Sequence, residues 1–184
     1  MYTIASLLDI HSDQKIQILW KDLEEKCFLR GIKLTPLPHI SWQASDNYQL
    51  EKADACLEEF ARHHKPFKIR TTGLGLFTGG KNILYLAMVQ SVHLTKLHKA
   101  LWNNPGLTAN RHYYYAPDYW VPHITLANKD VDQQKISCAI ETLADETLDF
   151  TISVTSMAIL YDNQGELGVK SIYKFMGSAN NNRV

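Results

Sequence analysis

The stretch Leu37-Pro38-His39-Ile40-Ser41-Trp42 returns 84 residues later as Val121-Pro122-His123-Ile124-Thr125-Leu126. Each copy reads aliphatic, proline, histidine, isoleucine, hydroxyl, large apolar. Apolar and polar residues alternate, and Ile and Thr favour a pleated backbone, so each copy predicts a short strand. In a strand, side chains at i and i+2 share a face. His39 and Ser41 therefore project together, while Ile40 and Trp42 point into a core. His123 and Thr125 repeat the arrangement. Pro38 and Pro122 stand at the strand start, where proline is tolerated. A lone histidine beside a hydroxyl is ordinarily a surface or hydrogen-bonded core residue. Two copies in the same apolar frame point instead to a paired site.

Working outward, the two halves of the chain repeat one order: strand, helix, histidine strand, helix, strand. In the first half, residues 2–10 predict a buried strand. A helix follows, capped by Ser12 or Asp13, with Ile16, Leu19, Trp20, Leu23 and Cys27 on one face and Gly31 at its end. After the first motif, a helix starting at Ser45-Asp46-Asn47 turns Leu50, Ala53, Leu57, Phe60 and Ala61 inward. His63 and His64 suit its negative C-terminal end as solvated caps, and Pro66 stops it. Residues 67–77 form a strand, Thr78-Gly79-Gly80-Lys81 a turn, and Asn82–Val89 the returning strand. That returning strand opens the second half. Its first helix buries Leu94, Leu97 and Leu101 and ends near Pro105-Gly106. Past the second motif, a helix from about Val131 turns Ile136, Ala139, Ile140 and Leu143 inward. Phe150, Ile152 and Val154 begin another strand. A turn at Asp162-Asn163-Gln164-Gly165 is expected to lead to a last strand over 166–176 and a flexible polar tail. The expectation is one domain over residues 1–184, with repeat 1 at about 1–82, repeat 2 at about 83–177 and a tail at 178–184. Two similar lobes about a pseudo-two-fold axis bring both histidine strands to a shared cleft.

Composition bounds the class. With 45% hydrophobic and 21% charged residues over 184, the chain is long and apolar enough for a globular core. Lys+Arg and Asp+Glu balance at 19 each, which argues against a general polyanion binder but leaves room for a local basic pocket. Apolar runs fall short of a membrane span. The start, Met1-Tyr2-Thr3-Ile4, lacks the charged region of a signal peptide. Cys27, Cys56 and Cys138 are an odd number without close spacing, which predicts buried, reduced thiols and a cytoplasmic protein.

Two histidines on opposite sides of a phosphodiester supply what in-line displacement needs: a base for the attacking oxygen and an acid for the departing one. Imidazole titrates near neutrality, so one ring can be neutral while the other is charged. Ser41 and Thr125 can donate to the non-bridging oxygens as charge builds there. Two nitrogens fall short of the three or four ligands of a metal site, so no metal and no cofactor is expected.

The paired Pro-His-Ile-Ser-Trp and Pro-His-Ile-Thr-Leu resemble the twice-occurring His-x-Thr/Ser signature of the two-histidine (2H) phosphoesterase superfamily. That superfamily includes 2′-5′ RNA ligase-like proteins and cyclic nucleotide phosphodiesterases. The resemblance covers most of the chain. It implies an α+β fold of two lobes, each an antiparallel sheet backed by helices, lining a central groove. It implies metal-independent chemistry on 2′,3′-cyclic phosphates or 2′-5′ linkages of nucleotides or RNA ends. His39 and His123 are then the catalytic pair, and Ser41 and Thr125 hold the phosphate. The first motif carries Ser and Trp where Thr and Leu are common; Ser keeps the donor, and Trp42 asks for a roomier core. Sequence leaves open which histidine is acid and which base. For hydrolysis the expectation puts His123 on water and His39 on the leaving oxygen.

Further candidates lie in the aromatic stretch Arg111–Trp120, read as a connecting loop beside the cleft. Tyr115 and Tyr119 are candidates to stack on a base, Arg111 to meet a phosphate, and Lys129 to add charge near Thr125. Gly73-Leu74-Gly75 with Thr78-Gly79-Gly80-Lys81 lacks the order of a phosphate loop and precedes a strand, so it reads as a hairpin. His11, His93 and His98 are expected at the surface. The partner is a nucleotide or RNA end bound by a monomer, with no membrane. The alternatives are a binding module that holds such a ligand without turnover, and a metallohydrolase.

Overall fold

A computed structural model describes residues 1–34, 37–108, 110–163 and 166–177. Gln164 and Gly165 of the expected turn and the tail from 178 lie outside the described residues.

Among the described residues, eight strands form two antiparallel four-stranded sheets. The first has the order β2-β1-β7-β8, with β1 Tyr2–Leu7, β2 His39–Ser45, β7 Ser156–Asn163 and β8 Glu166–Lys174. The second has the order β5-β4-β3-β6, with β3 Phe67–Phe77, β4 Ile83–Met88, β5 His123–Ala127 and β6 Thr151–Val154. Each sheet draws on both halves of the chain. β3, from the first half, pairs with β4 of the second, and β7 returns to pair with β1. Both histidine strands, β2 and β5, are edge strands, and they neighbour each other where the sheets meet.

Among the described residues, four α-helices pack against the sheets: α1 Ile10–Cys27, α2 Leu50–His63, α3 Val92–Trp102 and α4 Gln133–Leu143. α1 packs on α4 and β5, α2 on β7 and β8, and α3 on β2. One continuous core runs between helices and sheets, and includes Ile16, Leu23, Ile40, Trp42, Leu57, Leu86, Ile124 and Ile152. Among the described residues no helix is long and apolar enough to cross a membrane.

Several boundaries differ from the sequence reading. The first strand stops at Leu7, because the Asp9 carboxylate caps α1 by accepting the Ser12 N–H at 3.0 Å. Burial would raise the Asp9 carboxyl, but the N–H groups of Ser12 and Ser153 hold it below the usual range. α1 ends at Cys27, not at Gly31. Phe28 takes the left-handed conformation at φ 57, and its N–H closes on Glu24 O at 3.0 Å, the single bond of a left-handed helix ending. Buried Leu29 offsets the cost of placing a phenylalanine there. Ser45 belongs to β2, so α2 starts five residues later, at Leu50. Ile140 faces out, 50% exposed. The expectation of reduced thiols fails for two of the three cysteines: Cys27 of α1 and Cys138 of α4 form a disulfide, and Cys56 is free. The cysteine argument for a cytoplasmic protein loses its premise with them.

Candidate functional site

Both motifs carry the same backbone irregularity. In β2, Ser41 pairs with Ala5 and Gln43 with Ile4, which leaves Trp42 as an extra residue. In β5, Thr125 pairs with Tyr85 and Ala127 with Leu84, which leaves Leu126 extra. Each is a β-bulge at the position after the hydroxyl residue. A bulge bends its strand and re-aims the neighbouring side chains.

The two imidazoles are held alike. His39 Nδ1 lies 2.7 Å from Leu37 O, and His123 Nδ1 lies 2.7 Å from Val121 O. A carbonyl only accepts, so each Nδ1 carries the proton and each Nε2 keeps its lone pair. Burial lowers the pKa of both rings, and the carbonyl contacts partly oppose that. Charge on His123 lowers His39 further, so the rings are near enough for His39 to respond to the proton on His123. Around His123 the surroundings are aromatic: the rings of Phe77 and Tyr85 each lie 5.1 Å from it, centroid to centroid. Tyr85 lies across Gly75, where a Cβ would come 2.3 Å from the ring.

The hydroxyl residues are pinned through their carbonyls. Trp120 Nε1 donates to Ser41 O and Trp20 Nε1 to Thr125 O, both at 3.0 Å. Trp20 comes from α1, so a helix of the first half steadies the motif of the second. The half-buried Tyr115 hydroxyl hydrogen-bonds with the Ser41 side chain. Burial pushes its pKa up, and the Ser41 contact partly opposes this.

The remaining candidates are placed differently. Arg111 stacks its guanidinium 3.7 Å above the Trp102 ring and donates to Trp102 O. Tyr119 is 67% exposed, its ring perpendicular to that of Tyr113. Lys129 is exposed, with φ 68, in the turn between β5 and α4. So the structure gathers His39, Ser41, Tyr115, His123 and Thr125, and turns Arg111 to Trp102.

Sequence reasoning missed Trp20, Trp120, Tyr85, Phe77 and His98. His98 is 1% exposed, not at the surface as expected. Its signal was present, since Leu94, Leu97, His98 and Leu101 share one helical stripe. The other four needed the tertiary pairing. Among the described residues, no three His, Cys, Asp or Glu side chains gather as a metal site would require.

The family model of the 2′-5′ RNA ligase superfamily matches residues 12–166. The crystal structure of TT0787 from Thermus thermophilus is similar at 14% identity with TM-score 0.61, covering 96% of this chain and 98% of that one. A crystal structure described as a phosphoesterase is similar at 14% identity with TM-score 0.58, covering 95% and 97%. At such identity these likenesses show the fold. No curated protein sequence matches the chain.

Proposed function

Because this chain belongs to the 2′-5′ RNA ligase superfamily, whose members are generally phosphoesterases or RNA ligase-like enzymes, we propose that its cleft breaks or makes a phosphodiester of a nucleotide or RNA end. The substrate is a 2′,3′-cyclic phosphate or a 2′-5′ linkage, and the reaction proceeds by two-histidine acid/base catalysis without a metal. The observation that supports this best is the matched tautomer: two Nδ1–H groups fixed on carbonyls leave two Nε2 atoms for proton transfer.

In hydrolysis of a cyclic phosphate, one Nε2 takes a proton from water as its oxygen attacks phosphorus. The opposite bond to a ribose oxygen breaks, and the other Nε2, protonated, gives its proton to that oxygen. Ser41 and Thr125 donate to the non-bridging oxygens. The surroundings favour His123 as the acid and His39 as the base, the reverse of the sequence expectation. Burial lowers the pKa of both rings, but only His39 is lowered further by charge on the other histidine, which favours the neutral form at His39. In the ligating direction the roles exchange.

The test is a panel of 2′,3′-cyclic nucleotides and 2′-5′ dinucleotides assayed in EDTA, with product position read by chromatography. Turnover of at least one is expected. Tight binding of one with turnover of none would make the protein a binding module, and activity abolished by chelator would make it a metallohydrolase.

A further inference from the structure

His98 lies outside the proposed chemistry, yet it touches three parts of the site's frame. Its Nε2 lies 3.1 Å from Trp42 O, the carbonyl of the bulge residue, on the edge strand, one position past Ser41. Bulges disrupt the ladder, and a buried carbonyl without a partner is costly. The face of the His98 ring lies flat on the indole of Trp120, with centroids 3.9 Å apart and planes 3° apart. That indole donates to Ser41 O. The Tyr115 backbone lies close enough to the ring to pull its pKa up, and Tyr115 is the residue whose hydroxyl meets Ser41. One imidazole from α3 thus reaches the bulge, the indole clamp and the tyrosine that converge on Ser41.

We propose that His98 is a positioning residue: its Nε2–H closes the β2 bulge at Trp42 O, and this hydrogen bond, rather than the packing of its ring on Trp120, holds the Ser41 hydroxyl at the phosphate. The phosphate role of Ser41 rests on the proposed function; the holding of the Ser41 segment does not. A hydroxyl displaced by a fraction of an ångström loses transition-state stabilisation more than substrate binding.

Two variants separate hydrogen bonding from packing. His98→Gln places an amide N–H near the position of Nε2 and keeps the donor while losing the flat ring. His98→Phe keeps a flat ring and loses the donor. His98→Met, also without a donor, replaces the phenylalanine variant if that one does not fold. With a 2′,3′-cyclic nucleotide in EDTA, His98→Phe lowers kcat about tenfold with KM within about twofold, and His98→Gln recovers most of it. Full kcat in His98→Phe, or glutamine worse than phenylalanine, would overturn the proposal and leave a packing histidine.

A second measurement does not depend on turnover. Hydrogen exchange of the Trp120 indole N–H, followed by NMR, should speed up about tenfold in His98→Phe and stay near wild type in His98→Gln. The Trp20 indole, bonded to Thr125 O on the other motif, is the internal control and should not change. If no substrate turns over, the functional reading fails, and this exchange decides the His98 proposal alone. Equal exchange in both variants would overturn it.

Discussion

Acid should weaken the fold through His98, by an amount that can be worked out. Burial among Trp42, Trp102 and Trp120 lowers the pKa of the ring from 6.5 to about 4, against the opposing pull of the Trp42 and Tyr115 backbone. The unfolded chain binds this proton near 6.5, the folded chain near 4. Between those values the unfolded state holds more protons, so stability falls as pH falls. Above pH 7 the ring is neutral in both states and contributes no slope. At 1.36 kcal/mol per pH unit the loss reaches about 2 kcal/mol at pH 5 and about 3 kcal/mol below pH 4. Other groups also titrate in this window, so the measurement is a difference of differences. Urea unfolding of the wild type and His98→Gln is compared at pH 7.5 and pH 5, and the wild type should lose about 2 kcal/mol more than the variant. Parallel losses would refute the claim that His98 is buried neutral.

Three further outcomes follow from other parts of the molecule. With a substrate bearing an activated leaving group, His123→Ala should recover activity and His39→Ala should not, because only the acid becomes dispensable; recovery of both or neither would defeat the assignment. Gly75→Val drives a side chain into the Tyr85 ring, where even a Cβ would sit at 2.3 Å; kcat should drop while far-UV circular dichroism stays native, at a cost of about 1–3 kcal/mol in urea. Reduction of the Cys27–Cys138 disulfide, which spans 111 residues of sequence, should lower stability by about 2–4 kcal/mol, and Cys27→Ser should make the protein insensitive to reductant.

The legible parts of this fold were the local ones. Period-two alternation is written in Pro-His-Ile-Ser and Pro-His-Ile-Thr, and the helical stripes are written in Ile16–Leu23 and Leu94–Leu101, because neighbours in sequence decide both. The bulges at Trp42 and Leu126 were not legible, since a bulge is defined only against the partner strand. The exchange of β3 and β7 between sheets was equally hidden, because it depends on which edge each strand meets after a helix. Gly31 attracted the helix ending that Phe28 makes. There, burial of Leu29 outweighed the preference for glycine at a left-handed position. Cys27 and Cys138 are far apart in sequence and meet only because α1 packs on α4. Within the candidate site, the strands that carry His39, Ser41, His123 and Thr125 could be read from sequence, whereas the groups that brace them could not. Trp20 and Trp120 act through carbonyls of strands that they do not belong to.

Joint action of His39 and His123 on one phosphorus atom is measured by kcat/KM for the wild type, His39→Ala, His123→Ala and the double variant, on one 2′,3′-cyclic nucleotide in EDTA. Each single variant should lose about 10²–10⁴-fold, and the double variant should lose little more than the worse single, as groups acting as a unit do. Activity near wild type in either single variant, or losses that multiply in the double, would contradict it.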